Sequence, residues 1–209
     1  MVTRGRGAVA RPAAPAGRFR TQAGQCPEKA GPAAAEVDAR VRRTHQALRE
    51  AFFKLISTRP YDDIRVADIA GRAGVARSTF YEHFRGKDEL LLASLGNLLD
   101  VLAQCLQPRA DPGRLDRVLC HFWDNRRLAR ATFGGPARPR IARALALRVE
   151  SNLGPAASAP AARLLARQIS EGMLGLLLAW LTGELAGDVG AMAGILRQTA
   201  QASAQAMLR

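Results

Sequence analysis

Little in this sequence speaks for catalysis or metal binding. The 209 residues include three histidines and three cysteines. Cys26, Cys105 and Cys120 have neither the spacing of a zinc ligand set nor that of a CxxC redox pair. An odd number of thiols without a disulfide framework fits a reducing cytosol. A redox switch through Cys105 and Cys120 stays open. His45, His83 and His121 are isolated, and there is no HExxH pair, phosphate-cradling glycine loop or nucleophile elbow. No metal and no cofactor is expected. The longest apolar run, Met173 to Leu181, is about half the ~20 residues a membrane span needs. The N-terminus also lacks the apolar core of a secretory signal. A soluble cytoplasmic protein with no membrane partner is therefore expected.

Acidic residues are also scarce. Eighteen Asp and Glu stand against 31 Lys and Arg, for a formal charge of +13. Such an excess suggests an anionic partner, nucleic acid ahead of membrane surface. Part of it lies in the N-terminal stretch, where Arg4, Arg6, Arg11, Arg18, Arg20 and Lys29 face Glu28 alone. Residues 1–37 are rich in Ala, Pro, Gly and Arg without apolar periodicity and are expected to be a disordered basic tail. That tail is either an arm adding nonspecific DNA affinity or a solvated extension.

No strand-like alternation of useful length and no internal repeat occurs, so the chain reads as all-α. The spacing of Val41, Leu48, Ala51, Phe52, Leu55 and Ile56 predicts an amphipathic helix from about Asp38 to Ser57. Arg59-Pro60 ends it. Tyr61 and Ile64 are expected to pack into a small core, with Asp62 and Asp63 in a solvated turn. A further helix is predicted from Lys87 to about Leu106, with Leu90, Leu91, Leu95, Leu98, Leu99 and Leu102 on its apolar face. Asp88 and Glu89 suit the positive end of its dipole. Helices at about 113–127, 137–152, 160–185 and 188–208 follow, with a short one near Arg127 to Phe133.

The most informative stretch is Val66 to Phe84, VADIAGRAGVARSTFYEHF. It reads as two short helices around a glycine turn, the geometry of a helix-turn-helix DNA reader. Ile69 and the small Ala70 let a second helix cross closely. Gly74 allows a positive φ at the turn. Val75 fills the angle between the helices, and Phe80 returns to the core. Arg77, Ser78 and Thr79 are assigned to the major groove, Arg77 as the candidate for bidentate contact with guanine. Arg42 or Arg43, and Arg65, are candidates for phosphate contacts. Arg85 reads as a solvated charge, and Glu82 as pointing away from DNA. Thr79 has a second reading as a helix-stabilising hydroxyl, and His83 as a side chain packed on the first helix.

From Arg40 to Leu95, the tracts DIA, AGVARSTFY, HF and KDELL match in type, order and spacing the TetR family of bacterial transcriptional regulators, which this chain resembles. The resemblance implies a three-helix reader over 38–86 and a larger helical ligand-binding and dimerisation domain over 87–209. Tyr81, His83 and Lys87 resemble family positions that hold the DNA backbone. The implied function is a homodimeric repressor, released from a palindromic operator on double-stranded DNA by a small-molecule inducer. The last two helices would pair with their symmetry mates, and the helix after the reader would transmit its tilt to the reading heads. The sequence departs from the family at Arg65-Val66 and at Ala76, where threonine or serine is common. The side-chain cap at Arg65 is thus lost. Phe122, Trp123, Phe133, Met173, Leu177 and Trp180 are candidates for a ligand pocket, with ordinary core or dimer interface as the alternative. Rival readings are a small α-helical enzyme, a helix-turn-helix protein that coats DNA nonspecifically or binds a partner, and an activator.

Overall fold

The computed structural model describes residues 32–108, 110–153 and 159–207, with side chains over 38–108, 110–153 and 160–206. The expected tail falls outside them up to residue 31. Among the described residues there are ten α-helices and no strand. α1 (Pro32–Ile56) begins six residues before the expected start at Asp38. A 3-10 turn (Tyr61–Asp63) leads to α2 (Val66–Ala73) and α3 (Arg77–His83). Leu48, Phe52, Tyr61, Ile64, Ile69 and Phe80 close the reader core, each at most 3% exposed. A buried side chain of this size contributes about 2–3 kcal/mol of hydrophobic stabilisation.

The expected helix from Lys87 to Leu106 is broken. α4 (Lys87–Ser94) and α5 (Gly96–Gln104) meet at Leu95, whose ψ is 0°. The cause is local. The Ser94 hydroxyl donates to the Leu90 carbonyl at 2.6 Å, a back-bond that bends helices, and Gly96 follows, a residue that weakens the helix at that point. The six leucines expected on one face are nonetheless all buried.

The second half is a helical bundle. α6 (Pro112–Asp124) opens on the Asp111 carboxylate, which accepts the Gly113 N–H at 2.9 Å. α7 (Arg126–Phe133), α8 (Arg138–Leu153), α9 (Ala159–Thr182) and α10 (Val189–Met207) follow. α9 packs along α8 and also meets α7 and α10, while α5 lies on α8 and α10 on α6. By length and composition α9 could cross a membrane, but half of its most apolar window is buried within the fold. Two ion pairs tie the segment after the reader to α8: Arg140 to Asp88 at 3.0 Å and Arg148 to Asp100 at 2.8 Å.

Candidate nucleic-acid interface

The turn between α2 and α3 sets the site. Gly74 has φ +68°, the left-handed region where glycine alone is unstrained. Its N–H donates to the Gly71 carbonyl at 3.2 Å, and the Val75 N–H donates to the Ala70 carbonyl at 3.0 Å. This paired pattern is a Schellman motif, which satisfies the carbonyls at the end of α2 and turns the chain toward α3. Ile69, Ala70 and Phe80 are buried, and Val75 is half-buried against them, as the spacing requires.

The start of α2 lacks the N-cap side chain, as expected, and is capped from within the helix instead. Arg65 offers no side-chain cap, but the Asp68 carboxylate accepts the Arg65 backbone N–H at 2.9 Å. That is the reciprocal half of a capping box, and it leaves the Arg65 guanidinium exposed. Asp68 also faces Arg59 at 3.6 Å. The signal was legible in an acidic residue three positions into a helix.

α3 presents Arg77, Ser78 and Tyr81 to solvent, with Tyr81 51% exposed, while Thr79 is half-buried. Arg42, Arg43 and Arg65 are exposed on α1 and at the start of α2, and Arg85 and Glu82 are exposed as well. Exposed cationic and hydroxyl side chains on a short helix with a fixed crossing angle are the equipment for groove and phosphate contact.

Two of the residues assigned to the DNA backbone turn toward the protein. Lys87 Nζ donates to the carbonyls of Tyr61 at 2.8 Å, Asp62 at 3.1 Å and Ile64 at 2.9 Å. All three ammonium hydrogens are thus engaged, and Lys87 is a strut rather than a free phosphate ligand. Tyr61 extends the same seam. Its hydroxyl donates to Asp88, and Arg140 lies over its ring at 5.3 Å. His83 packs edge-on against His45 of α1, with ring centroids 4.9 Å apart, and His45 also rests on Phe84.

The His45 environment has a pH consequence. Burial foremost, then His83 and Arg49, hold the His45 imidazole below its ordinary range. The unfolded chain therefore takes up a proton at a higher pH than the folded one does. Stability tied to His45 is fully present above the unfolded value of about 6.5 and falls as pH drops through it toward the folded value. Denaturant unfolding between pH 8 and pH 5 is expected to show this loss, and His45→Gln to flatten it. An identical pH slope in the variant would show that the histidine pair is not its source.

The expected ligand-pocket residues have mostly gone elsewhere. Phe133, Met173, Leu177 and Trp180 fill the core of the bundle, each at most 2% exposed. Trp180 was also expected at a dimer interface. Instead it donates from Nε1 to the Gly187 carbonyl at 2.9 Å and stacks on Trp123 at 4.6 Å. Trp123 itself is 37% exposed, with the Arg126 guanidinium over its ring. Phe122 does border a cavity, at the junction of α1, α6 and α7. Cys105 is buried, with its thiol pushed up to about 11 by desolvation, whereas Cys120 is exposed; both are free. A thiol held protonated is a poor partner for disulfide exchange.

α9 and α10 leave an uncharged face uncovered. On α10 it consists of Ala191, Ile195, Gln198 and Ala202, spaced by four, three and four. On α9 it includes the exposed Gly172 and the half-buried Leu176 and Ala179. α10 carries a single charged side chain, Arg197.

Comparison with known proteins converges on the reader. Residues 48–94 match the family model described as bacterial regulatory proteins, tetR family. An uncharacterized HTH-type transcriptional regulator of Bacillus subtilis, YxbF, is 39% identical over 57 residues, covering 27% of this chain and 15% of that protein. The HTH-type transcriptional regulator EthR of Mycobacterium tuberculosis is 39% identical over 64 residues, 30% of each protein. The matches thus span less than a third of these curated relatives. Among solved structures, a TetR-family regulator from Streptomyces coelicolor is 21% identical at a TM-score of 0.57, covering 78% of this chain and 96% of that one. A TetR transcriptional regulator from Streptococcus agalactiae is 24% identical at a TM-score of 0.50, covering 80% and 98%. At these identities the likeness is one of fold.

Proposed function

We propose that this chain is a DNA-binding transcriptional regulator of the TetR family, whose family model its helix-turn-helix reader matches over residues 48–94, and that it acts in the cytoplasm as a homodimeric, ligand-responsive repressor. The observation that carries the reading is α3. Arg77, Ser78 and Tyr81 are exposed on it, while Phe80 and the Gly74 turn hold it at a fixed angle to α2. A guanidinium so placed suits bidentate contact with the O6 and N7 of guanine. Arg42, Arg43 and Arg65 supply sequence-independent affinity for phosphates.

The uncharged face of α9 and α10 supports the dimer. Gly172, Ala179, Ala191 and Ala202 allow close helix approach, and Leu176 and Ile195 supply apolar area. A two-fold pair presents its reading helices to successive major grooves, so the operator is roughly palindromic. Release follows when a ligand favours the dimer state whose heads fit DNA poorly.

The test is selection of bound fragments from sheared genomic DNA, followed by comparison of wild type with Arg77→Ala. Wild type is expected to recover a short inverted repeat. Arg77→Ala is expected to lose about 1–3 kcal/mol of discrimination between that repeat and a variant with its guanine replaced. Equal loss on specific and random DNA would remove Arg77 from the groove. Recovery of fragments with no shared motif would favour nonspecific coating.

A further inference from the structure

The reader and the bundle do not close completely on each other. Between α1 and helices α6 and α7 there is a cavity of about 450 Å³. Its floor is Leu95, at the α4–α5 break, with Ala129 and Thr132 of α7, each at most 3% exposed. Phe53 of α1, Phe122 of α6 and Leu128 of α7 are its apolar walls. Small-molecule sites fall in the range of roughly 300–1,000 Å³ and combine such walls with a few polar groups. The hollow opens to solvent at the seam between the reader and the bundle.

The rim specifies the charge of that occupant. Arg49 and Lys54, both from α1, border the cavity. Arg49 Nε donates to the His45 carbonyl at 3.3 Å. Among the described residues neither cation has a carboxylate within 4.0 Å, whereas Arg138, Arg140, Arg148, Arg163 and Arg167 all do. The same rim carries one carboxylate, Glu50, which accepts from the neutral Gln46 amide at 2.6 Å and keeps its charge. Two cations against one carboxylate leave the rim of this apolar hollow with a net charge of +1.

We infer that this junction cavity binds a small amphipathic carboxylate, with its apolar body among Phe53, Leu95 and Phe122 and its anionic head on Arg49 and Lys54. The inference rests on the regulator reading only for its consequence. A molecule seated there touches α1 of the reader, the break at Leu95 and α7 of the bundle together. Its binding is thereby linked to how the reader sits on the bundle. The site is distinct from the bundle core occupied by Phe133, Met173, Leu177 and Trp180.

The test uses the full chain without DNA, so that an unidentified operator does not decide it. Octanoate and 4-phenylbutyrate are titrated calorimetrically beside octan-1-ol and 4-phenylbutan-1-ol, their neutral counterparts. The acids are expected to bind about tenfold or more tighter than the alcohols, the scale of hydrogen bonds to a charged partner. Arg49→Gln combined with Lys54→Gln is expected to abolish that preference and leave alcohol binding in place. Ser57→Trp, on the exposed rim, is expected to block acids and alcohols alike. It decides the matter alone if the double variant does not fold. Equal binding of acids and alcohols, an acid preference that survives the double variant, binding unaffected by Ser57→Trp, or no binding of either acid at millimolar concentration overturns the inference. Release of operator DNA by octanoate from wild type, absent in the double variant, is a separate readout that ties the site to regulation.

Discussion

Lys87→Met is expected to weaken the reader's fold by about 2–4 kcal/mol, the scale of losing several hydrogen bonds from a charged donor. The ammonium holds three carbonyls of the chain entering α2, those of Tyr61, Asp62 and Ile64, at 2.8–3.1 Å. It also lies 4.6 Å from the centre of the Tyr61 ring. Methionine keeps the unbranched stem as far as the ε position and its packing but leaves those carbonyls to water or to nothing. Urea unfolding of the full chain is the measurement, followed by DNA titration over a range of salt concentrations at a temperature where the variant is folded. Binding is expected to fall with the folded fraction while its salt slope stays unchanged, because no phosphate contact has been removed. An unchanged unfolding midpoint with a salt slope reduced by about one would return Lys87 to the phosphate backbone.

Ile195→Glu is the second substitution with a large expected effect. Ile195 is 42% exposed in the centre of the uncharged face of α10, so glutamate is tolerated by the isolated fold. In a two-fold pair it would place two carboxylates against a face with no countercharge, where burying an unpaired charge is strongly unfavourable. The variant is expected to sediment as a monomer and to melt as a folded protein. Its operator affinity should fall by roughly 10²-fold or more, because only one half-site is engaged at a time. A variant that remains a dimer at micromolar concentration would locate the interface elsewhere. Truncation of α10 is a poorer test. Met192, Ala193, Leu196, Ala200 and Ala204 on its inner face are core residues, so removing the helix would open the bundle as well as any interface.

The limits of local reading are clearest at residues whose partners are distant in sequence. Lys87 is assigned to phosphate because it resembles a family position that holds the DNA backbone. Its carbonyl partners lie 23–26 residues earlier, and no periodicity reports that separation. Trp180 sits in a run of leucines that reads as an interface, yet its ring is covered by Trp123 and by the turn at Gly187. The helix break at Leu95 was legible in principle, since Ser94 and Gly96 flank it, but six aligned leucines gave the stronger signal for continuity.

By itself the sequence determined what depends on neighbours within a turn or two: the all-α class, the reader's helix–glycine–helix geometry, its buried anchors Ile69, Ala70 and Phe80, and the exposed Arg77 and Ser78. These follow from helical periodicity and from the φ that Gly74 alone tolerates without strain, both of which are local. The tertiary structure alone decided which cations are free and which are engaged, and where the bundle fails to fill space. Lys87 turns inward, Arg49 and Lys54 have no carboxylate within 4.0 Å among the described residues, and a cavity remains between α1, α6 and α7. Hydrogen bonds and packing across the fold depend on distances that only the assembled chain sets.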